Sequence, residues 1–368
     1  MVKHIPLSSP DINLNDKMEV LKVLSTRHLT QGPKINEFEK KFSEYLEVPY
    51  AIAVNSGTSA LHLAVRSLGL QMGDEVIVTP FSFIASSNCL LMEKIKPVFV
   101  DINEKDFNID PELIEEKITK KTKAILPVDI FGNPIKIKEI KILSEKYSLP
   151  ILEDSCEALG AEYSGAKVGT LSDIATFGFY PNKQITTGEG GMIVTFNKNL
   201  AELCISMRNQ GRNINGDWFF YERLGYNYRM NEMSAALGSA QMNRIEEILS
   251  KRKKVANIYL KKLKDLEGII LPYNDENKSW FNFVIRVDEK IRNNLLKYLQ
   301  TEGIECKNYF PSIHLEPFYM KEFGYKKGDF PISEKISSQT IALPFYNLLK
   351  EEDISYIKDK LEKGIKNA

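Results

Sequence analysis

The chain has few of the residues that build disulfide frameworks or metal sites. It contains four cysteines and four histidines among 368 residues. The cysteines lie far apart within apolar surroundings, which favours reduced thiols in a cytoplasm over a disulfide framework or a zinc site. The histidines show no spacing typical of metal ligands. We therefore expect a cytoplasmic protein without a structural metal.

The sequence also lacks an excess of charge and a long apolar run. Lys plus Arg and Asp plus Glu each number 49, so the formal net charge is zero. A balanced chain has no net field that attracts nucleic acid or an anionic membrane. No apolar stretch approaches the ~20 residues that span a bilayer, and the N-terminus has no signal-peptide-like segment. We expect neither a nucleic-acid partner nor membrane association.

The first two thirds of the chain alternate short apolar runs with helical patterns. The apolar runs are nearly continuous, which is typical of strands covered on both faces. The alternation therefore predicts an α/β protein with a mostly parallel sheet and right-handed crossovers. The predicted strands are 51–54, 75–79, 97–101, 124–128, 150–153, 175–179 and 192–196, and the predicted helices include 58–68, 111–118 and 137–147.

The pattern changes in the last third of the chain. Residues 231 to about 266 have the apolar stripe of one long helix. A strand at 280–287, a helix at 289–301, a strand at 305–310 and a helix at 351–364 follow. We predict a large domain at 1–249 and a small C-terminal α+β domain at 250–368. The N-terminal segment 1–30 is expected to pack on the small domain.

Three polar features fall at the ends of predicted strands, where ligands bind in parallel sheets. Lys183 precedes a Gly-rich turn, Asp154 ends an apolar run, and Ser56-Gly57-Thr58 begins a helix. Singly, they read as an exposed lysine, a loop acid and a capped helix start. Together they are the parts that hold pyridoxal phosphate (PLP): a lysine for the Schiff base, an acid for the pyridinium nitrogen, and N–H groups for the phosphate.

Segments spread over the chain carry a resemblance to a known family. They are Leu29-Thr-Gln-Gly-Pro33 with Phe38-Glu39, Asn55 to His62, Pro80 to Ala85, Glu153-Asp154, Pro181 to Lys183, Gly188 to Gly191 and Gly225 to Arg229. In these segments the chain resembles the DegT/DnrJ/EryC1/StrS family of PLP-dependent sugar aminotransferases. The resemblance implies an aspartate-aminotransferase-like fold (fold type I), with a large mixed-sheet domain and a smaller C-terminal α+β domain.

The resemblance implies a role for each matching residue of the cofactor site. Lys183 would form the internal aldimine with PLP and then transfer the proton. Asp154 would hold the pyridinium proton, and Phe83 would stack on the ring. The phosphate would be bound by Gly57, Thr58 and Ser59.

Further residues are implied at the subunit interface and on the substrate side. Asn227 would reach the phosphate of the neighbouring subunit's cofactor, so the resemblance implies a homodimer with active sites at the interface. The substrate candidates are Gln31, Arg229, Tyr309 and His314. Packing explains Tyr309 and His314 as well, and a helix-start turn explains Gln31.

Three positions depart from the common family pattern. Gly178 stands where many members have a phosphate-binding serine, and Tyr180 replaces a frequent histidine. Glu157 occupies a position that is often a glutamine donating to the phenolic oxygen of the cofactor. A carboxylate cannot donate unless it is protonated. We therefore expect Glu157 to be protonated in the holoenzyme or to contact the cofactor differently.

The lysine at position 183 favours transamination, because family members resembling the sugar 3-dehydratases have a histidine there. The implied reaction moves an amino group from L-glutamate to the 3- or 4-keto group of a UDP- or dTDP-linked hexose. It would serve amino sugars of cell-surface polysaccharides or secondary metabolites. A cyclitol aminotransferase and a non-catalytic PLP-binding regulator are alternatives. Cysteine desulfuration would need a mobile cysteine, for which only Cys156 and Cys306 are candidates.

Overall fold

A computed structural model describes residues 3–213 and 219–367. The helices in these residues are α1 (Leu14–Leu24), α2 (Pro33–Leu46), α3 (Gly57–Ser67), α4 (Ala85–Leu91), α5 (Ile137–Tyr147), α6 (Lys198–Arg208), α7 (Glu232–Met242), α8 (Ile245–Leu263), α9 (Glu289–Thr301), α10 (Pro317–Phe323), α11 (Pro331–Gln339) and α12 (Glu351–Asn367). The strands are β1 (Tyr50–Val54), β2 (Glu75–Val78), β3 (Lys96–Phe99), β4 (Thr122–Leu126), β5 (Leu152–Asp154), β6 (Glu162–Tyr163), β7 (Ala166–Lys167), β8 (Ile174–Gly178), β9 (Gly191–Thr195), β10 (Ile269–Ile270), β11 (Phe283–Val287) and β12 (Thr340–Leu343).

A large mixed sheet forms the centre of the N-terminal part. Strands in the order β1-β9-β8-β5 are joined to β4-β2-β3 by parallel bridges between Ile125 and Ile151 and between Val128 and Asp154. Strand β9 runs antiparallel to β1 and β8, whereas β5 and β8, β2 and β3, and β2 and β4 pair in parallel. The prediction of a mostly parallel sheet is confirmed.

A second sheet lies in the C-terminal part, where antiparallel β10, β11 and β12 pack with α9 and α12. Helix α8 joins the two parts. Its residue Ile248 packs in a core cluster with the large sheet, and Tyr259 packs in the cluster of the small sheet. The predicted boundary at 250 therefore falls inside this helix. Of the N-terminal segment, Ile5 bridges to Ile304, while α1 packs on α7.

One predicted helix proves to be two. Residues 231–266 do not form a single helix, because the chain bends at Arg244 (φ −130°) between α7 and α8. The Arg244 guanidinium turns to Asp16, with Nη2 at 2.8 Å from Oδ2, and to Asp11. The apolar pattern continues across the bend, so periodicity did not reveal it.

Two shorter predictions are also wrong. Residues 111–118 form two 3₁₀ turns, Pro111–Leu113 and Glu115–Lys117. Only Pro111 and Ile114 of this segment are buried, so little tertiary packing supports a short helix there. Residues 305–310 form no strand beyond one bridge from Lys307 to Ala342. The chain leaves the small sheet there because Phe310 packs on Phe131 and Phe81 of the N-terminal part.

Residues 3–213 and 219–367 contain neither a helix suited to span a membrane nor a cluster suited to bind a metal ion. None of their helices combines the length and apolar character of a membrane span. No group of three or more His, Cys, Asp or Glu residues is arranged there to hold a metal ion.

Candidate active site

A cavity of about 770 Å³ opens at the ends of β1, β5 and β8. Ligand pockets for small molecules usually have volumes of this order. One wall comes from the start of α3 and the loop before α4, and the floor comes from the turn after β8. The opposite wall comes from residues 307–311 of the C-terminal part. The cavity therefore lies between the two parts of the chain.

Lys183 projects its amine into this cavity between an acid and an aromatic ring. Its Nζ lies 3.5 Å from Glu157 Oε1 and 4.1 Å from the centroid of the Phe281 ring. Its backbone N–H donates to the Tyr180 carbonyl oxygen (2.9 Å), which closes the turn after β8. The side chain is 14% exposed, so the amine is shielded from bulk water and still reaches a ligand.

Glu157 is buried beside this lysine. Burial raises the pKa of the Glu157 carboxyl, while the charge of Lys183 and the N–H of Phe131, 3.0 Å from Oε2, oppose that rise. The net direction is upward, so the carboxyl holds its proton to a higher pH than an exposed glutamate. This direction agrees with the expectation of a protonated Glu157, which stays a prediction.

Asp154 is a buried carboxylate that no cation balances. Oδ2 accepts from Ser86 Oγ (2.6 Å) and Oδ1 accepts from the Cys156 N–H (3.1 Å). Across the two described ranges, no Lys, Arg or His nitrogen lies within 4.0 Å of this carboxylate. A buried charge without a partner is costly. A protonated ring nitrogen in the cavity would supply the missing cation, so Asp154 fits the pyridinium of PLP.

The start of α3 provides an anion site at one end of the cavity. Gly57 and Thr58 line the cavity with the first backbone N–H groups of the helix. Ser59 is buried and does not line it, because its N–H donates to the capping hydroxyl of Ser56 (3.0 Å). The structure thus brings Gly57 and Thr58 to a phosphate position, and Ser59 supports the turn from behind.

The small residues beside this turn keep it open. A Cβ on Gly191 would lie 2.4 Å from the Ser56 carbonyl oxygen, so β9 can pass this turn only with glycine at that position. Gly178 is the register partner of Gly191. A Cβ on Gly178 would have Cys156 Sγ as its nearest neighbour, at 3.4 Å. Gly178 therefore offers the phosphate no hydroxyl but leaves room for one.

Aromatic side chains line the rest of the cavity. Phe83 and Tyr180 are 58% and 54% exposed, and both line the cavity. Tyr309 lines the wall from the C-terminal part, and burial raises the pKa of its phenol. Phe83 and Tyr309 therefore lie where a ring and a substrate could reach them.

Three predicted site residues lie together outside this chain's own cavity. Asn209 connects two of them: its Nδ2 donates to Gln31 Oε1 (3.4 Å), and its Oδ1 accepts from Arg229 Nη1 (3.0 Å). Asn227 is exposed on the same segment as Arg229, which runs beside the end of β1. Within one chain, none of these side chains contacts the cavity.

His314 lies away from the cavity. Its imidazole is fully buried, Nε2 lies 3.0 Å from Glu334 Oε1, and the ring packs on Phe330. Burial lowers the pKa of His314. A direct contact with substrate does not fit this position, because the residue is enclosed by the C-terminal part.

Sequence reasoning missed several residues that line the cavity from the C-terminal part. Phe281 contacts the Lys183 amine, and Lys307 adds a cation to the wall. Asn308 accepts from Thr340 Oγ1 at 2.8 Å, which fixes the wall to β12. No local pattern identifies these residues, because only the tertiary fold brings them to Lys183.

Comparison with known proteins gives one consistent result. Residues 10–362 match the model of the DegT/DnrJ/EryC1/StrS aminotransferase family. The GDP-perosamine synthase of Escherichia coli O157:H7 is 36% identical over 98% of each chain. The dTDP-3-amino-3,4,6-trideoxy-alpha-D-glucose transaminase of Streptomyces venezuelae is 35% identical over 88% of this chain and 85% of its own.

A solved structure agrees with the sequence comparisons. The aminotransferase PseC of Helicobacter pylori, involved in the biosynthesis of pseudoaminic acid, superposes with a TM-score of 0.95 at 32% identity, over 100% of both chains. This likeness confirms the predicted α/β architecture of fold type I.

Proposed function

Because the chain belongs to the DegT/DnrJ/EryC1/StrS aminotransferase family, we propose that it transfers an amino group from L-glutamate to a nucleotide-linked keto sugar. The chain is a PLP-dependent sugar aminotransferase. The proposed acceptor is the 3- or 4-keto group of a nucleotide-diphosphate hexose. The proposed setting is amino-sugar biosynthesis in the cytoplasm, for a cell-surface polysaccharide or a secondary metabolite.

The observation that carries this proposal is the position of the Lys183 amine. It faces a cavity with free N–H groups at the start of α3, and Asp154, a carboxylate without a cation, lies behind the cavity wall, where it accepts from the N–H of the wall residue Cys156. When bound there, PLP supplies the electron sink through which an amino group is exchanged. Lys183 can accept and return a proton at Nζ. Asp154 would hold the proton of the ring nitrogen, and Phe83 would cover the ring.

The size and lining of the cavity support a substrate larger than an amino acid. The cavity extends from α3 to Lys307 and Glu316 of the C-terminal part. Lys307 can pair with a phosphate at the mouth, and Tyr309 can donate to a sugar hydroxyl. Relatives named for GDP-linked and dTDP-linked sugars support a nucleotide carrier. We therefore add GDP-linked sugars to the UDP- and dTDP-linked candidates.

A homodimer is part of the proposal. Gln31, Asn227 and Arg229 lie outside their own cavity, which supports a role in the cavity of a partner subunit. One face of α1 also exposes apolar side chains, Leu14, Met18 and Leu21, at helical spacing. A contiguous apolar face that is exposed on a single chain often marks a surface that contacts another protein.

The decisive experiment is a product assay with the PLP-loaded protein and L-glutamate. The acceptor panel contains UDP-, dTDP- and GDP-linked 3- and 4-keto hexoses and the cyclitol ketone scyllo-inosose. Mass spectrometry identifies the amine, and Lys183→Ala serves as the blank. Amination of a nucleotide sugar supports the proposal. Amination of scyllo-inosose alone favours the cyclitol alternative, and no amine from any acceptor favours the regulatory one.

A further inference from the structure

Arg252 is a buried cation next to the active site that the proposed chemistry does not use. It lies on α8, and only 4% of it is exposed. Its Nε donates to the Trp280 carbonyl oxygen at 2.7 Å, and its Nη2 donates to the carbonyl oxygens of Phe281 at 2.7 Å and Asn182 at 3.2 Å. One guanidinium therefore joins three segments: α8, the chain before β11, and the turn that carries Lys183.

The partners of this guanidinium are neutral. In residues 3–213 and 219–367, no carboxylate oxygen lies within 4.0 Å of an Arg252 nitrogen. Burial lowers the pKa of Arg252 to about 10. A buried charge that meets carbonyl oxygens and an aromatic ring, here Phe345 with its centroid 5.3 Å from Cζ, is stabilised less than one in an ion pair. We therefore infer that Arg252 matters for the positions in which it holds the three carbonyl groups.

That geometry depends on the planar shape of the guanidinium. Nε–H and Nη2–H lie on one edge in a fixed orientation, so they bind the two successive carbonyls of Trp280 and Phe281 together. An ammonium group at this place would be a point donor without a fixed edge. Arginine thus fixes the direction of the backbone at Phe281, which a lysine would do only in part.

Two of the residues that Arg252 binds, Asn182 and Phe281, adjoin or contact Lys183. Asn182 is the residue before it, and the Phe281 ring lies 4.1 Å from its Nζ. The face of an aromatic ring favours the charged form of an amine. A shift of the Phe281 backbone would move the ring from the amine, and a shift of Asn182 would move the amine itself.

We propose that Arg252 is a positioning residue for Lys183, which it holds against the Phe281 ring by binding the carbonyl oxygens of Trp280, Phe281 and Asn182. The proposal rests on the proposed role of Lys183 as the residue that reacts with PLP. It does not require Arg252 to touch cofactor or substrate.

The test measures how fast the visible absorbance band forms when PLP is added to the PLP-free full-length protein, from pH 6 to pH 10.5. Only the deprotonated form of an amine attacks the aldehyde of PLP, so the rate depends on pH, and the Glu157 carboxyl 3.5 Å from the Lys183 amine is the same in every variant. In Arg252→Met the Phe281 ring is no longer held against the Lys183 amine and no longer favours its charged form. The pH profile of the rate should therefore move to lower pH by about half a unit. Arg252→Lys should move it less.

Arg244→Met is the matched control, because Arg244 directly precedes the same helix and binds Asp16 instead of the active-site segments. It should lower the melting temperature without moving the profile. Equal displacement in Arg244→Met and Arg252→Met would show a general loosening and overturn the proposal. An unmoved profile in Arg252→Met would overturn it as well.

A second variant keeps the test decisive if Arg252→Met does not fold. Phe281→Leu removes the ring itself and should displace the profile in the same direction. If Arg252 acts through the ring, Arg252→Lys adds little further displacement in a Phe281→Leu background. Full additivity would contradict the proposal. Failure of the proposed role of Lys183 is distinguishable, because wild type would then form no Lys183-dependent band at all.

Discussion

Lys183 and Glu157 share the most consequential contact of the site, with 3.5 Å between Nζ and Oε1. Burial raises the pKa of Glu157, so the carboxyl can serve as a proton donor near the cavity. The same burial makes ionisation of Glu157 unfavourable in the folded chain. The properties of this single side chain can be tested in two independent ways.

The first test concerns activity. If Glu157 donates a proton to the bound cofactor, the amide of Glu157→Gln can donate in its place, so we expect the variant to keep most of its transamination rate. Glu157→Ala, which cannot donate, should lose activity. Initial rates at saturating PLP measure both. Loss of all activity in Glu157→Gln would rule out the protonated-donor role.

The second test concerns stability. An acid with a raised pKa binds more protons in the folded than in the unfolded chain, so stability falls as pH rises from its ordinary value of 4.5 to its raised folded value. Glu157→Gln lacks this titration. We expect its melting temperature relative to wild type to increase across that window and stay constant above it. A relative melting temperature that falls with pH would contradict the assigned direction.

Single residues with a motif were predictable, and those without one were not. Lys183, Asp154 and Gly57 follow strand ends, and each occupies a cavity wall or supports one. Phe281 has no such signature, because its role depends on a contact between distant segments. His314 matched a family segment, yet tertiary packing encloses it.

At the scale of elements, the close passage of β9 past the start of α3 shapes the phosphate end of the cavity. Gly191 and Gly178 face each other across the β8–β9 ladder, but only a Cβ on Gly191 would overlap with backbone atoms. Sequence periodicity located both strands, since each is a short apolar run. It could not distinguish their two glycines, because the difference lies in a contact with Ser56.

This difference gives a matched pair of substitutions. Gly191→Ala places a Cβ 2.4 Å from the Ser56 carbonyl oxygen, and we expect a loss of about 1–3 kcal/mol of unfolding free energy with weaker PLP binding. In Gly178→Ala the Cβ lies 3.4 Å from Cys156 Sγ, 3.5 Å from Cys156 Cβ and 3.8 Å from Gly57 Cα, which are ordinary contact distances, so this variant should cost much less. Denaturant unfolding and PLP titration measure both. Equal losses in the two variants would contradict the assignment of the contact.

At the scale of the whole molecule, the main question is whether a second chain completes the site. The mostly parallel sheet and a ligand site at the ends of its strands followed from the α/β pattern. The bend at Arg244 did not, because its cause is a contact with Asp16 far along the chain. The placement of Asn227 outside its own cavity leaves the subunit arrangement as a prediction.

Complementation tests that arrangement. Lys183→Ala and Asn227→Ala should each be poorly active alone. When the two are coexpressed, each mixed dimer contains one site with both residues intact, so activity should return to about one quarter of the wild-type value. Differently tagged chains allow the mixed dimer to be purified. Activity no greater than the sum of the two parent variants would contradict a shared site.

The most direct test of the account is the absorption spectrum of the PLP-loaded protein before and after addition of L-glutamate, with Lys183→Ala alongside. We predict that the wild type shows the visible band of bound PLP and loses it to the pyridoxamine phosphate spectrum on addition of glutamate. Lys183→Ala should not make this conversion. A visible band in wild type that glutamate leaves unchanged would contradict the donor, and no band at all would contradict the central role of Lys183.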